Sequence, residues 1–268
     1  MHPYLNIGIQ AARKAAKIIA RYYEQLDPSK VSEKGLRDLV TIADKAAEQA
    51  IIDIILKAYP SHHIIAEESG YHPGLNPQNE LSWVIDPLDG TMNFVHGFPQ
   101  FAVSIGVKLK NQLEHAIIYD PLSHDLFTAS RGSGAQLNER RIRVSHQEGL
   151  RNALIAADCG YGDGVGTPMP ASTIHRMQGL FAQGAETRKN GSAALNLAYV
   201  AAGRLDGFFE SGLKEWDLAA GILLVREAGG FVSDYAGGHE CLEKGEVIAG
   251  TRKVHETLLQ LIQETPPD

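Results

Sequence analysis

The pattern of apolar residues changes near residue 150, and this change constrains the fold more than any other feature of the 268-residue chain. Between residues 102 and 129, short strand-like runs follow one another without an intervening helix, which predicts an antiparallel or mixed sheet. Beyond residue 150, strand-like and helix-like runs alternate, which is typical of an α/β arrangement. The elements predicted there are strands at 153–157, 207–210, 231–233 and 247–249, helices at 174–182, 193–202 and 218–228, and a glycine-rich loop at 160–170. We therefore expect two closely packed sub-domains, an α+β unit over residues 1–148 and an α/β unit over residues 149–268.

Two amphipathic helices are predicted before the first sheet. Apolar residues recur at helical spacing over residues 5–23 and again over residues 41–58. The segment between them, residues 27–37, is rich in turn formers and charge, so we expect a loop. The run His63–Ala66 predicts a short strand, and acidic residues follow where that strand would end.

Composition and charge limit the partners that the chain can have. Hydrophobic residues make up 44 % and charged residues 21 % of the chain, as in folded water-soluble proteins. Because the net charge is −7, the surface as a whole repels phosphate polymers and anionic lipid. No apolar run approaches the roughly 20 residues of a membrane span, and the N-terminus lacks the apolar core of a signal peptide. The two cysteines, Cys159 and Cys241, show no CxxC spacing, so we expect a reducing, cytoplasmic location.

Residues 83–94 (WVIDPLDGTMNF) join a predicted buried strand to two aspartates. Pro87 keeps Asp86 out of the helical backbone region, so the chain turns there and Asp86 and Asp89 can face one point. The next glycine permits close approach, and Thr91 begins a short predicted helix whose free amides attract an anion. Oxygen ligands beside an anion site suit Mg²⁺ and phosphate. For the Asp–Pro pair alone, an Asx turn with a helix cap is an equally open explanation.

Two further acidic residues stand at the ends of predicted elements. Glu67 follows a strand, and Asp217 directly precedes the predicted helix 218–228. Taken alone, Glu67 could be a surface side chain and Asp217 an ordinary N-cap. If folding gathers them with Asp86 and Asp89, four carboxylates repel one another and raise one another's pKa. A divalent cation relieves that repulsion, so we predict a metal site.

Three sequence strings resemble motifs of the inositol monophosphatase family. They are EES at 67–69, WVIDPLDGTMNFVH at 83–96 and WDLAAGILLVREAGG at 216–230. The likeness extends over nearly the whole chain and includes strings typical of the family's bacterial branch, such as NGSAALNLAYVAAGR and DGFFE. It implies a layered α/β/α/β/α sandwich, usually a homodimer, in agreement with a mixed sheet followed by α/β structure.

The resemblance assigns the acidic residues to metal ions. One Mg²⁺ would be held by Glu67, Asp86 and the backbone carbonyl of Leu88. A second Mg²⁺ would be held by Asp86, Asp89 and Asp217. A third, weaker ion is proposed near Glu67 in this family.

The resemblance also implies a catalytic arrangement. A water oriented by Glu67 and by a Thr91 hydroxyl paired with Asp44 attacks phosphorus in line. Asp44 is otherwise a favourable acid in the first turn of its helix. Contacts to the phosphate and the released alcohol are implied for Asp89, Gly90, Thr91, Arg188, Gly191, Ser192, Ala193, Glu210 and Asp217. No GxSxG, HExxH or GxxxxGK[ST] string occurs, and the eleven histidines show no ligand spacing and are expected mostly in solvent.

Two functional hypotheses follow from these patterns. The first is a Mg²⁺-dependent, Li⁺-sensitive phosphomonoesterase acting on myo-inositol 1-phosphate and related polyol monophosphates. Fructose 1,6-bisphosphate, 3′-phosphonucleotides and histidinol phosphate are rival substrates, because the resemblance implies a family that acts on such phosphates. Alcohol selectivity would be determined by the loop at 158–170, which does not match the bacterial branch, and by the variable stretch beside Glu210. The second, which the bacterial branch suggests, is a regulatory protein binding the transcription or RNA-processing machinery, with basic clusters at Arg140–Arg143 and Arg188–Lys189. A degenerate family member serving only as a structural partner is opposed by the complete set of metal-ligand residue types.

Overall fold

The computed structural model describes residues 2–25, 31–35, 38–157 and 170–266, and for residues 31–35 and 38–41 it describes only the course of the backbone. Most of the predicted loop at 27–37, most of the glycine-rich loop at 160–170 and Cys159 therefore lie outside the described residues. Residues 31–35 form a strand rather than part of a loop. No helix in the described ranges is both long and apolar enough to cross a membrane.

Helices and strands account for most of the described chain. The helices are α1 (Pro3–Tyr23), α2 (Ile42–Ala58), α3 (Thr91–Val95), α4 (Ala171–Ala182), α5 (Ala193–Ala201), α6 (Glu215–Glu227), α7 (Cys241–Lys244) and α8 (Arg252–Glu264). The strands are β1 (Val31–Gly35), β2 (Asp38–Thr41), β3 (His63–Ala66), β4 (Gly70–His72), β5 (Leu81–Asp89), β6 (Ala102–Leu109), β7 (Gln112–Tyr119), β8 (Leu126–Ser130), β9 (Gly134–Leu137), β10 (Arg140–Arg141), β11 (Leu154–Ala157), β12 (Glu186–Arg188), β13 (Gly207–Ser211), β14 (Phe231–Ser233) and β15 (Glu246–Gly250).

Two mixed sheets form the framework of the described residues, beside the small β1–β2 hairpin. The first has eight strands in the order β10-β9-β8-β7-β6-β5-β3-β4, and only its β3–β5 pair is parallel. The second has five strands in the order β12-β11-β13-β15-β14, parallel from β12 to β13 and antiparallel beyond. A mixed sheet followed by α/β structure is confirmed.

Helices cover both sheets and also separate them. On the outer face of the first sheet lie α1 and α2, through buried residues such as Ala15 and Ile51. Between the sheets lie α5 and α6, whose Leu197 and Leu224 belong to a core shared by both sheets. On the outer face of the second sheet lie α4 and α8, with Leu258 among their buried residues. This order of layers confirms the predicted α/β/α/β/α sandwich.

Most predicted elements occur within a few residues of their expected bounds. The helix expected at 218–228 begins earlier, at Glu215, so Asp217 lies inside its first turn rather than before it. Helix α8 is a real element that was not predicted. The division into sub-domains at residue 148 stays a prediction. Helices α5 and α6 from the second half pack against the first sheet, so the two halves share one core.

Candidate active site

A bulge in β5 brings two aspartates to one side of the first sheet. Asp86 pairs with Ser104 and Asp89 with Ala102, so three residues of β5 span two of β6. In a regular strand, residues three apart point to opposite faces, but the extra residue of a bulge restores a common face. Pro87 suits this position because it has no amide hydrogen to offer the ladder. The sequence thus places two carboxylates side by side on a rigid element.

Glu67 reaches the same place from the neighbouring parallel strand. Strands β3 and β5 run parallel with Ala66 opposite Ile85, so their carboxyl ends meet at one edge. The Glu67 amide donates to the Ile85 carbonyl over 3.1 Å, which fixes the backbone where β3 ends. Its side chain hydrogen-bonds to that of Asp86.

Asp217 is carried in by the first turn of α6. Its carboxylate accepts from the Lys214 amide over 2.7 Å, as an N3 acid in a capping box does. The start of α6 is held over β6, where the Ser104 hydroxyl donates to the Trp216 carbonyl over 3.3 Å. Close packing requires Gly106 here, because a Cβ at that position would lie 2.9 Å from the Cβ of Ala219. Single ligand oxygens of Asp86, Asp89 and Asp217 accordingly all lie within 4.8 Å of one another.

Asp89 is also bound to the start of α5. One of its oxygens accepts hydrogen bonds from the Ser192 hydroxyl and, over 2.9 Å, from the Ala194 amide. Amides in the first turn of a helix lack intrahelical partners and favour negative charge. One carboxylate therefore ties the first sheet to the central helical layer.

The three aspartates are electrostatically strained as they stand. Burial raises the pKa of Asp86 well above its ordinary value, and repulsion from Glu67, Asp89 and Asp217 raises it further. Burial raises the pKa of Asp89 to about 6, although bonds from Ser192 and the α5 amides act in the opposite direction. Burial and the charge of Asp89 raise the pKa of Asp217 to about 7.

The chemistry of these donors fits a hard divalent cation. All the ligand atoms are oxygens, as Mg²⁺ prefers, and a nearby cation favours the charged form of every carboxylate. In the described part of the chain this is the one group of three or more acidic, histidine or cysteine residues close enough to share an ion.

A threonine and a buried aspartate adjoin the acidic cluster. The Thr91 hydroxyl lies within donating distance of the Asp44 carboxylate, at 3.1 Å, and of the Leu88 carbonyl, at 3.0 Å. Asp44 lies in the first turn of α2 and is buried. Gly90 precedes α3 with φ +95°, and a Cβ there would lie 2.8 Å from the Gln100 carbonyl, so only glycine fits.

Comparisons with known proteins match this architecture along its whole length. A profile of the inositol monophosphatase family matches residues 1–266. The chain belongs to the inositol monophosphatase family. Over 267 residues it is 50 % identical to the Nus factor SuhB of Pseudomonas aeruginosa, covering 100 % of this chain and 98 % of that protein.

Solved structures agree with the family assignment. The crystal structure of the extragenic suppressor protein suhB from Bartonella henselae superposes with a TM-score of 0.92 at 40 % identity, covering 99 % of this chain and 100 % of the other. An inositol monophosphatase from Anabaena superposes with a TM-score of 0.83 at 36 % identity, covering 98 % of this chain and 96 % of the other.

The expected alcohol contacts of this inositol monophosphatase family member lie in several places. Ser192 and Ala193 stand where α5 begins, beside Asp89. Glu210 is half-buried on β13. Arg188 is exposed on β12, and its guanidinium donates to the neighbouring Thr187 carbonyl over 2.8 Å.

The sequence patterns did not single out two residues that link segments of the site in this family member. The Asn93 side-chain amide lies 2.7 Å from the carbonyls of both Gln100 and Asn190, linking α3 to the loop before α5. Glu48 on α2 accepts from the Glu68 amide over 2.8 Å. Asn93 lies inside the recognised motif and could have been singled out there, but nothing in the local sequence pairs Glu48 with Glu68.

Proposed function

We propose that this chain is a Mg²⁺-dependent phosphomonoesterase that releases phosphate from myo-inositol 1-phosphate and related polyol monophosphates. The observation that carries the proposal is the convergence of Asp86, Asp89 and Asp217 oxygens within 4.8 Å of one another. These carboxylates adjoin the Gly90–Thr91 turn, where α3 begins without a side-chain cap, so the first amides of the helix would suit phosphate oxygens.

The acidic residues divide into two ligand sets. Glu67, Asp86 and the Leu88 carbonyl would hold one Mg²⁺, and Asp86, Asp89 and Asp217 a second, with a third ion near Glu67. Bound Mg²⁺ would lower the pKa of a water molecule and would neutralise negative charge on the phosphate and on the leaving group. Both contributions are needed because phosphate monoesters are among the slowest esters to hydrolyse, with enzymatic accelerations up to about 10²¹-fold.

The side chains beside the ligands would position the nucleophilic water. The Thr91 hydroxyl has two acceptors within donating distance, the Asp44 carboxylate and the Leu88 carbonyl, so its one hydrogen is used there and its oxygen lone pairs would accept a hydrogen from water. Glu67 would take the proton that this water loses on attack. Ser192, Ala193, Gly191, Glu210 and Arg188 would contact the alcohol.

The direct test is phosphate release from myo-inositol 1-phosphate with Mg²⁺ and with EDTA. Asp89→Asn should abolish turnover, and chelation should do the same. Asp206→Asn is a matched control, because Asp206 likewise accepts from a serine hydroxyl, Ser145 at 2.6 Å, and a backbone amide, Leu154 at 2.7 Å. Turnover that survives both EDTA and Asp89→Asn would refute the proposal. A panel with fructose 1,6-bisphosphate, a 3′-phosphonucleotide and histidinol phosphate fixes the substrate.

We also propose a regulatory role in which the chain binds the transcription machinery. The supporting observation is the relative from Pseudomonas aeruginosa, 50 % identical over the full length, whose name is Nus factor SuhB. Of the two roles, the comparisons favour this one, since the Anabaena inositol monophosphatase shares 36 % identity. The exposed Arg140, Arg141 and Arg143 offer a positive surface despite the net negative charge.

The two roles can be separated by one variant. If binding is independent of the acidic cluster, immobilised Asp89→Asn protein should retain RNA polymerase from a native lysate as well as the unmodified protein does. If neither the immobilised unmodified protein nor the immobilised Asp89→Asn protein retains RNA polymerase, the regulatory role is refuted. We further expect a cytoplasmic homodimer, to be checked by light scattering, and inhibition of phosphate release by Li⁺.

A further inference from the structure

Helix α2 presents two buried acidic side chains to the active-site segments. Asp44 and Glu48 are 1 % and 3 % exposed. They are four residues apart, so they share one face of the helix. Asp44 meets the Thr91 hydroxyl, as described above, while Glu48 meets the backbone where the chain leaves β3.

The bond from Glu48 fixes the peptide that carries Glu67. The Glu68 amide donates to the Glu48 carboxylate over 2.8 Å, and the Glu67 amide donates to the Ile85 carbonyl over 3.1 Å. Consecutive amides are thus held from two sides, one by α2 and the other by β5. Rotation of this backbone segment would carry the Glu67 side chain away from Asp86.

Burial of the Glu48 carboxylate needs an explanation beyond packing. Removing a carboxylate from water costs free energy unless hydrogen bonds compensate it. A leucine would fill the same space without that cost, so the position gains from having an acceptor. The acceptor is directed at the residue next to a proposed metal ligand, and outer residues that orient ligands in this way tune metal affinity.

We propose that Glu48 is a positioning residue that sets the Glu67 carboxylate for divalent-cation binding, acting through the Glu68 amide. This inference rests on the proposed function only because it takes Glu67 as a metal ligand. Glu48 itself touches neither the cation nor the substrate.

The test compares Glu48→Ala, Glu48→Gln and Ile55→Ala in the full-length protein. Calorimetric titration with Mg²⁺ gives the dissociation constant, and phosphate release gives kcat and KM at saturating Mg²⁺. For Glu48→Ala we expect the Mg²⁺ dissociation constant to rise at least about tenfold, with little change in KM. Glu48→Gln keeps an oxygen acceptor and should restore much of the affinity. Ile55→Ala empties a fully buried site on the same helix, so it should lower thermal stability without changing Mg²⁺ affinity.

The outcomes distinguish this inference from the proposed function. Unchanged Mg²⁺ affinity in folded Glu48→Ala, or equal losses in Glu48→Ala and Glu48→Gln, would overturn the positioning role. Should Glu48→Ala not fold, Glu48→Leu keeps the buried volume without an acceptor and is scored in the same way. A protein that binds Mg²⁺ with the expected ranking of variants but hydrolyses no phosphate ester would retain the inference and lose the proposed function. A protein that does not bind Mg²⁺ at all would overturn the inference.

Discussion

Asp86 and Asp234 are both buried aspartates, yet their pKa values move in opposite directions. Burial and three neighbouring carboxylates raise the pKa of Asp86. Burial would also raise the pKa of Asp234, but bonds from the Lys244 ammonium and the Gly238 and Ala236 amides outweigh it and lower the pKa. Lys244 lies 2.9 Å from Asp234, so the second region carries its own cation. The difference teaches that burial alone does not decide whether a carboxylate stays charged, and that an added cation would offset the repulsion within the acidic cluster as Lys244 offsets the burial of Asp234.

The largest expected effect comes from removing one carboxylate from the cluster. Asp217→Asn should lower kcat/KM for myo-inositol 1-phosphate by at least about 100-fold, because a lost charge-stabilising group costs about 3 kcal/mol or more in the transition state. Steady-state phosphate release measures this. Activity close to that of the unmodified protein would remove Asp217 from the proposed ligand set.

The second effect tests the region that carries its own cation. Lys244→Met leaves the fully buried Asp234 without its ammonium and should lower the urea concentration at the midpoint of unfolding, because a buried carboxylate loses a charged hydrogen-bond donor. Urea denaturation measures the change. Lys253→Met is the matched control, since the pair Lys253–Glu256 is exposed and its loss should shift that midpoint much less. Equal losses in the two variants would break the comparison.

The third effect tests whether bound Mg²⁺ stabilises the acidic cluster as Lys244 stabilises the charged form of Asp234. Mg²⁺ at ten times its dissociation constant should stabilise the unmodified protein by about 1.4 kcal/mol. Asp86→Asn should lose this gain, but without Mg²⁺ it should be at least as stable as the unmodified protein, because a desolvated, repelled charge is gone. Thermal unfolding with and without Mg²⁺ provides both numbers. A metal-free Asp86→Asn protein that is much less stable would contradict the proposed strain.

The effect that is smallest at neutral pH concerns a buried titratable group with no strong ion pair. Burial and the neighbouring His2 lower the pKa of His115 to about 4. The unfolded chain therefore binds a proton at His115 from pH 6.5 downward while the folded chain does not, so stability falls as the pH drops from about 6.5 to about 4. His115→Gln should flatten this part of the stability profile, as measured by urea denaturation across that range. An unchanged stability profile would show that His115 is protonated in the folded protein as readily as in the unfolded chain.

The sequence predicts the succession of elements along the chain better than the contacts between them. The neighbouring carboxylates Asp86 and Asp89 are also readable, because their motif is local and continuous. The start of α6 was misplaced because the Lys214–Trp216 segment shows no apolar periodicity, and the capping contact of Asp217 becomes visible only in the folded chain. Seven of the eleven histidines are exposed or half-buried, as expected for most of them, but those at 62, 63, 115 and 255 are buried, since burial depends on partners distant in sequence.

Contacts between distant segments account for the rest of what the sequence could not show. Glu48 and Glu68 are twenty residues apart and meet because α2 packs beside the β3–β5 edge. Ser192 and Asp89 are 103 residues apart and meet because α5 lies against the first sheet. No periodicity or motif spacing encodes such pairings, which arise from topology.

Gly106 gives the packing of α6 on β6 a consequence for ion choice. Its missing methyl group sets how closely the helix bearing Asp217 settles on the sheet bearing Asp86, since a Cβ there would collide with Ala219. A larger residue would lift the helix by some tenths of an ångström. That is the scale separating Mg–O distances near 2.0–2.1 Å from Ca–O distances of about 2.3–2.6 Å. If the cluster binds a cation as proposed, the size of the residue at position 106 would therefore affect which ion fits between Asp86 and Asp217.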